Sequence, residues 1–282
     1  MRPGPRSLIL ELLSTLRGHA APVRALVEAA AVFGISGNSL RVALARLLSE
    51  GLLERDERGR YRLAAGAAAL SEQIHGWRRL EAGLRPWSGD WIGTSLGALP
   101  RKTGRRRRLR ERALRLLGFR ELEPGLQIRP DNLAGGAAAV RERLLALGLE
   151  AQARVFRLSD LDDEGERRAR GLWDVAELQR SYRLTRERLE TSAARLSSLP
   201  RSLAMAESFE LGGSAIRQLA LDPRLPEPLL PAGERRALAE ALHRYDRLGR
   251  EVWAGWLGEP GPDLARLPAD VGADDRRLLA RA

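Results

Sequence analysis

The sequence predicts an α+β, mostly helical chain in three parts. Three observations predict it. The N-terminal stretch has three helical periodicities closed by a hairpin signal, the middle alternates strand and helix patterns, and the remainder from Asp162 is almost wholly helical in spacing. With 282 residues the chain exceeds one small domain. The expected boundaries are 1–78, 79–161 and 162–282.

In the first part, Leu8, Leu12, Leu13 and Leu16 recur at helical spacing. They predict a helix over residues 7–16, with Ser7 as N-cap and Pro5 excluding helix before it. Pro22 stands near the start of a second helix, whose buried face is Val23, Leu26, Val27 and Ala30. Phe33-Gly34-Ile35-Ser36 ends it, Gly34 giving the turn and Ser36 capping the next helix. That third helix is predicted over residues 37–50. Leu40, Leu44, Leu47 and Leu48 share one face, which leaves Asn38, Ser39, Val42, Arg46 and Ser49 opposite and Arg41 on the flank.

This second face is small and polar, the chemistry that enters a DNA major groove, where Asn and Arg hydrogen-bond to base edges. Gly51 stops the helix. Residues 52–55 read as a strand, Asp56-Glu57-Arg58-Gly59 as a turn, and residues 60–63 as the returning strand. Helix, helix, helix, hairpin is the order of a winged helix-turn-helix. Arg55, Arg58, Arg60 and Arg62 put positive charge on its wing. The candidate DNA contacts are therefore Ser36, Asn38, Ser39, Arg41, Val42, Arg46, Arg55, Arg58 and Arg60. Any one arginine is more often a solvated surface charge, and some modules of this shape make only protein contacts; the cluster carries the DNA reading.

The middle part opens with a connector over residues 66–89. Its residues 71–80 are predicted helical, with Ile74 and Trp77 packing back on the first part, and Pro86 and Ser88-Gly89 mark the boundary. Residues 90–99 have strand character, through Trp91, Ile92, Thr94 and Leu96. Residues 100–108 read as an exposed basic loop and 109–117 as an amphipathic helix. Two short strands over 119–130 bend at Pro124-Gly125, then come a helix over 137–147 and a strand over 151–158. This order is the split βαβ, ferredoxin-like pattern, which specifies no function by itself. The basic run 101–112 has three readings: a solvated loop, a second nucleic-acid contact, or a cradle for the phosphates of an anionic effector.

In the third part, residues 166–196 are helical and divided at Gly171 or Asp174. Residues 202–221 are helical, with Gly212-Gly213 as an interruption or a close-packing point. Asp222-Pro223-Arg224-Leu225-Pro226 stops that run. A last amphipathic helix spans 234–257, including Trp256, and the tail from Gly258 is rich in Pro and Gly, the composition of a loosely ordered end. Helices of this kind build an effector pocket or a dimer contact, and spacing does not choose between them.

The net charge is +11, which favours polyanionic partners. Lys102 is the only lysine, however, and the excess of Arg, Ala, Gly and Leu reflects GC-rich codons, so charge alone does not decide the partner. The chain has no cysteine, which excludes disulfides, thiolate zinc sites and cysteine nucleophiles. His19, His75 and His243 lack metal-ligand spacing. No apolar run reaches the ~18 residues of a membrane span, and no secretory signal is seen, so a cytoplasmic protein is expected. There is no nucleophile elbow, Walker loop or HExxH sequence. Neither catalysis nor a cofactor or metal is expected.

Several landmarks then occur in a familiar order. Phe33-Gly34-Ile35-Ser36 leads into Leu40-Arg41-Val42-Ala43-Leu44-Ala45-Arg46-Leu47 and Gly51-Leu52-Leu53. Trp87 to Trp91 opens the middle part. Leu117-Gly118-Phe119 precedes Pro124-Gly125-Leu126-Gln127-Ile128-Arg129-Pro130, and Asp222-Pro223-Arg224-Leu225-Pro226 precedes Leu229-Leu230-Pro231. In these landmarks, from Ser7 to about Trp256, the chain resembles the PaaX-like repressors of phenylacetate-degradation operons. The resemblance implies a winged helix, a ferredoxin-like domain and a helical effector-linked tail. It also implies a homodimer on a palindromic operator, released by an aryl-CoA thioester such as phenylacetyl-CoA. One departure concerns the tail: Ala232-Gly233-Glu234-Arg235 follows Leu-Leu-Pro where the family usually has an acidic residue and then Trp-Pro-Gly.

Two rival readings remain. One is a DNA or RNA binder without sequence preference, using the arginine-rich run. The other is a metal-dependent nuclease on the ferredoxin-like domain. The nuclease is poorly furnished, because Gly97-Ala98-Leu99 ends the first middle strand without an acid and Asp90 lies at the strand's other end.

Overall fold

The computed structural model describes residues 3–16, 19–65, 67, 76–79, 81, 83–96 and 104–254. The expected helix around Ile74, the strand end Gly97-Ala98-Leu99, residues 101–103 of the basic run, and Trp256 with the tail lie outside the described residues. The fold is α+β, with two small antiparallel sheets. The chain forms two compact units. The first takes the described residues of Met1–Arg78, Arg186–Ile216 and Glu240–Ala282, and the second those of Arg79–Thr185 and Arg217–Ala239. The helices after residue 161 are thus shared between the two units. Among the described residues no helix is long and apolar enough to cross a membrane.

The first unit begins with α1 (Pro5–Thr15). It starts before the expected Ser7, with Gly4 at the cap position, and the Ser7 hydroxyl donates to the Gly4 carbonyl at 3.0 Å. Proline opens a helix at little cost because a first-turn N–H has no intrahelical partner, so Pro5 begins the helix it was expected to exclude. A two-residue strand, β1 (Ala21–Pro22), was not legible in the sequence; Pro22 also caps α2 (Val23–Val32). After α3 (Gly37–Ser49) come β2 (Leu53–Arg55) and β3 (Arg60–Leu63). The sheet order is β1-β3-β2, with Pro22 opposite Arg60 and Glu54 opposite Arg62.

Leu8, Ile9, Leu12 and Leu13 of α1, Leu26 and Ala30 of α2, and Leu40, Leu44 and Leu47 of α3 form one buried core. Two later helices, α8 (Arg201–Ala220) and α9 (Gly233–Trp253), complete it through Met205, Phe209 and Trp253. The Phe209 ring lies 5.1 Å from that of Phe33 and 6.0 Å from that of Trp253. Trp77 is fully buried, as expected of a packing residue, and packs against His243 of α9 with tilted rings whose centroids are 4.6 Å apart. Helix α8 runs unbroken through Gly212-Gly213, where Gly212 faces the Tyr245 ring, so this pair is a packing point.

The second unit holds β4 (Trp91–Ser95), α4 (Arg105–Leu116), β5 (Arg120–Glu123), β6 (Leu126–Pro130), α5 (Gly136–Ala146) and β7 (Arg154–Leu158). The sheet order is β5-β6-β4-β7, with every neighbouring pair antiparallel. Ile92 and Val155 on one face pack against Ala113 and Leu114 of α4 and Val140 and Leu144 of α5. On the other face Phe156 lies over Gly93, where an added Cβ would come within 2.7 Å of the ring. Trp173 stacks parallel to Trp91 at 6.1 Å.

Helix α4 begins inside the stretch read as a loop. Arginine is a good helix former and its side chain tolerates exposure, so a run of arginines continues the amphipathic pattern toward the N-terminus. The expected break near Gly171 and Asp174 separates α6 (Asp163–Arg170) from α7 (Val175–Ala193). Asp174 caps α7 by accepting the Glu177 N–H at 2.8 Å.

Candidate nucleic-acid interface

The turn before α3 is built by Phe33-Gly34-Ile35-Ser36. Gly34 adopts a left-handed φ of 72°, and Ser36 caps the helix by accepting the Ser39 N–H at 3.2 Å. The Ser36 hydroxyl also donates to the Ser39 hydroxyl at 2.9 Å. The leucines of α3 are drawn inward, so Asn38, Ser39, Arg41, Val42, Arg46 and Ser49 are exposed together on the opposite side. Val42 is 45% exposed, which is high for an apolar side chain on a well-packed helix. Neither Arg41 nor Arg46 has an ion pair among the described residues, whereas Arg6 of α1 takes the nearby Glu50 at 2.6 Å.

The hairpin turn is fixed by Asp56. Its backbone N–H donates to the Arg60 carbonyl at 2.9 Å and its carbonyl accepts the Gly59 N–H at 3.0 Å. Its carboxylate accepts the N–H groups of Arg58 at 3.1 Å and Arg60 at 2.7 Å. Gly59, with φ of 73°, supplies the left-handed residue that a short turn of this kind needs. Arg55 and Arg58 are exposed, the Arg55 guanidinium lying 5.8 Å from the Tyr61 ring centroid.

The hairpin is less basic than its arginines suggest. Arg62 is paired with Glu54 directly across the strands at 2.8 Å, and Arg60 is half-buried with an Nε that has no partner among the described residues. Counting Glu54, Asp56 and Glu57 against the four arginines, the hairpin carries a net charge of +1.

The structure thus brings Ser36, Asn38, Ser39, Arg41, Val42 and Arg46 onto α3 and its cap, and Arg55, Arg58 and Arg60 onto the following hairpin, all within the first unit. Among the described residues no group of three or more His, Asp or Glu side chains is placed to hold a metal ion. Asp90 pairs with Arg157 and accepts the Ser88 hydroxyl at 2.9 Å.

Sequence reasoning missed a buried polar network in the second unit, where three of the landmark segments meet. Arg129, 1% exposed on β6, donates to the carbonyls of Pro130 and Leu117 and to the Asn132 side chain at 2.7 Å. Asn132 in turn donates to the Arg224 carbonyl at 2.7 Å. Arg224 has a left-handed φ of 52°, and its N–H is held by Asp222 at 2.7 Å. Asp222 also accepts from the Tyr182 hydroxyl and lies 3.7 Å from Arg235.

Burial pushes the Asp222 carboxyl upward, against the pull of Arg235, and burial pulls Arg129 downward. The Pro223 backbone packs so closely on Gly118 that a Cβ there would come within 2.7 Å of it. These contacts bring Leu117-Gly118-Phe119, the strand ending in Arg129-Pro130, and Asp222-Pro223-Arg224 together in the fold. Arg129 is satisfied by the Leu117 and Pro130 carbonyls and the Asn132 side chain, and Asp222 by Tyr182, Arg235 and the Arg224 N–H.

Comparison with known proteins agrees with the sequence resemblance. No curated protein matches the chain. Among solved structures it is similar to the uncharacterized protein Rv0674 from Mycobacterium tuberculosis, with 26% identity and a TM-score of 0.53, over 86% of this chain and 96% of that one. Residues 4–67, which hold α3 and the hairpin, match the model of the PaaX-like protein family, a family of regulators and the one the sequence landmarks resemble.

Proposed function

We propose that this chain is a DNA-binding transcriptional repressor of the PaaX type. Its N-terminal helices and hairpin act as a winged helix-turn-helix, with α3 as the recognition helix. The observation that carries the reading is the face of α3: an exposed row of Asn38, Ser39, Arg41, Val42 and Arg46, its two arginines having no ion pair among the described residues, on a helix whose other face is locked in the core. Asn and Arg pair with purine edges, and an exposed valine suits a thymine methyl. Arg55, Arg58 and Arg60 of the hairpin contact phosphate or the minor groove. The element order and the β1-β3-β2 sheet support the winged-helix reading, and the match over residues 4–67 supports the regulator.

The second sheet, in the order β5-β6-β4-β7 with helices after β4 and β6, supports a ferredoxin-like middle domain. We extend the reading to a homodimer on a palindromic operator in an aromatic-acid catabolic operon, acting in the cytoplasm and released by an aryl-CoA such as phenylacetyl-CoA. An effector that binds better to the DNA-incompetent arrangement of the dimer shifts the population off the operator.

The test is titration of the protein into duplex from its own upstream region, with excess random duplex, with and without phenylacetyl-CoA. Specific binding that the thioester abolishes and free CoA does not is the expected result. Specific binding that the thioester leaves unchanged removes this effector. Equal binding to all sequences removes the operator reading and favours a nonspecific nucleic-acid binder.

A further inference from the structure

The affinity of DNA-binding proteins comes largely from cations set against phosphates. In this chain those cations are concentrated elsewhere than on the N-terminal module. Residues 4–67 hold nine arginines against six acids, a net charge of +3. Residues 105–120 alone hold eight arginines against one glutamate, a net charge of +7. The single glutamate is already used, since Glu111 pairs with Arg107 at 2.6 Å, and Arg110 turns inward to Glu150 at 3.5 Å.

Four of the six arginines that are left form a row. Arg108, Arg112 and Arg115 lie at i, i+4 and i+7 on α4 and so share one side of the helix, over a rise of about 10 Å. Arg120 continues the row at the start of β5, with one guanidinium nitrogen held on the Phe119 carbonyl at 3.0 Å. None of the four has an ion pair to a carboxylate among the described residues. Arg112 and Arg120 are partly desolvated, and burial first, then the neighbouring Arg115 charge, pulls both below the ordinary guanidinium range.

Four like charges crowded at a surface without counter-charges destabilise the folded chain. Each guanidinium presents a flat fork of donors that fits phosphate. A row about 10 Å long is on the scale of a few successive phosphates on one strand of a duplex.

We infer that Arg108, Arg112, Arg115 and Arg120 form a second nucleic-acid contact, which grips the phosphate backbone and reads no bases. The inference rests on the DNA-binding reading above and assigns the work differently: α3 supplies sequence preference, and the arginine row supplies much of the salt-dependent affinity.

The test is a full-chain variant carrying Arg108→Gln, Arg112→Gln and Arg115→Gln. Its affinity is measured beside the wild type on upstream-region duplex and on random duplex, across a salt series. The wild type is expected to show the steeper dependence. Losing three phosphate contacts lowers the slope of log affinity against log salt by about 2.7 on both duplexes and leaves the ratio between them unchanged. A companion variant with Lys at the same three positions retains the wild-type slope, which separates loss of charge from loss of fold.

An unchanged slope in the Gln variant overturns the inference, and so does an unchanged slope accompanied by lost binding to a polyglutamate peptide, which would make the row a protein-docking surface. If the slope falls but the wild type shows no preference for its upstream region, the row stands and the repressor reading fails. If the preference stands and the slope does not move, the row alone fails.

Discussion

Substituting Trp253 by Ala tests whether the N-terminal helices depend on the C-terminal ones. Trp253 is 8% exposed at the end of α9, in the same core as Leu8, Leu40 and Leu47, and its indole N–H donates to the Ser208 hydroxyl at 3.2 Å. An indole in such a place buries on the order of 200 Å². At about 25 cal/mol per Å² its removal costs about 5 kcal/mol, the upper end of the ~3–5 kcal/mol usual for Trp→Ala in a core. Its position near a helix end allows some collapse, so about 3 kcal/mol is the expected loss.

The ring of Phe209 links Trp253 to Phe33, so Phe209→Ala and Trp253→Ala together should cost less than the sum of the two by about 1 kcal/mol, the size of an aromatic pair term. Guanidinium unfolding of the full-length variants, followed by far-UV circular dichroism, measures both quantities. The reasoning is refuted if Trp253→Ala costs less than about 1 kcal/mol, or if residues 1–78 alone unfold with the same free energy as in the full chain.

Other perturbations have equally definite outcomes. Ser36→Ala removes the cap of α3 and lowers stability by about 1 kcal/mol in the same unfolding assay, with a matching loss of DNA affinity because the start of α3 frays. Gly118→Ala puts a methyl group against the Pro223 backbone at a φ of 75°, and should cost more than about 2 kcal/mol or abolish folding of the second unit, read by soluble yield and melting temperature. Asp246 lies between Arg78 and Arg250, each 2.8 Å away; burial pushes its carboxyl upward but the two guanidiniums outweigh it, so its folded pKa is below the unfolded value of about 3.9. The stability it contributes is therefore present above about pH 4 and lost as pH falls through the folded value. Asp246→Asn should cost about 3 kcal/mol at pH 7, with the gap to wild type narrowing in acid.

Where one element's own periodicity decides its structure, the sequence was a good guide. Leucine spacing places α3, and Asp56 with Gly59 places the hairpin turn, because caps and tight turns are local chemistry. The candidate residues on α3 follow from the same spacing. Three features lay beyond such reasoning. Strand β1 is two residues long and carries a proline, so nothing in its composition marks it; it exists because β3 offers an edge. The burial of Trp253 against helices far earlier in the chain, α1 and α3, is a tertiary contact with no local signature. Arg129 looks like an alternating polar residue of a strand, yet it is 1% exposed, and the Leu117 and Pro130 carbonyls together with the Asn132 side chain make that burial tolerable.

The hairpin of β2 and β3 shows the reverse. Four arginines in sequence suggested a strong positive edge, and pairing across the strands removes one of them. An arginine counts toward binding only when its nearest carboxylate is elsewhere. By that measure Arg46 on α3 and the row on α4 are the better positions.

The central claim is that α3 selects the DNA sequence, and Arg46→Ala tests it most directly. The quantity to measure is the ratio of affinities for upstream-region duplex and random duplex at one fixed salt concentration. The account predicts that the variant loses about 1–3 kcal/mol of discrimination, a fall in the ratio of about fivefold to about 150-fold, while random-duplex affinity stays within about threefold. A ratio unchanged by Arg46→Ala would contradict the account.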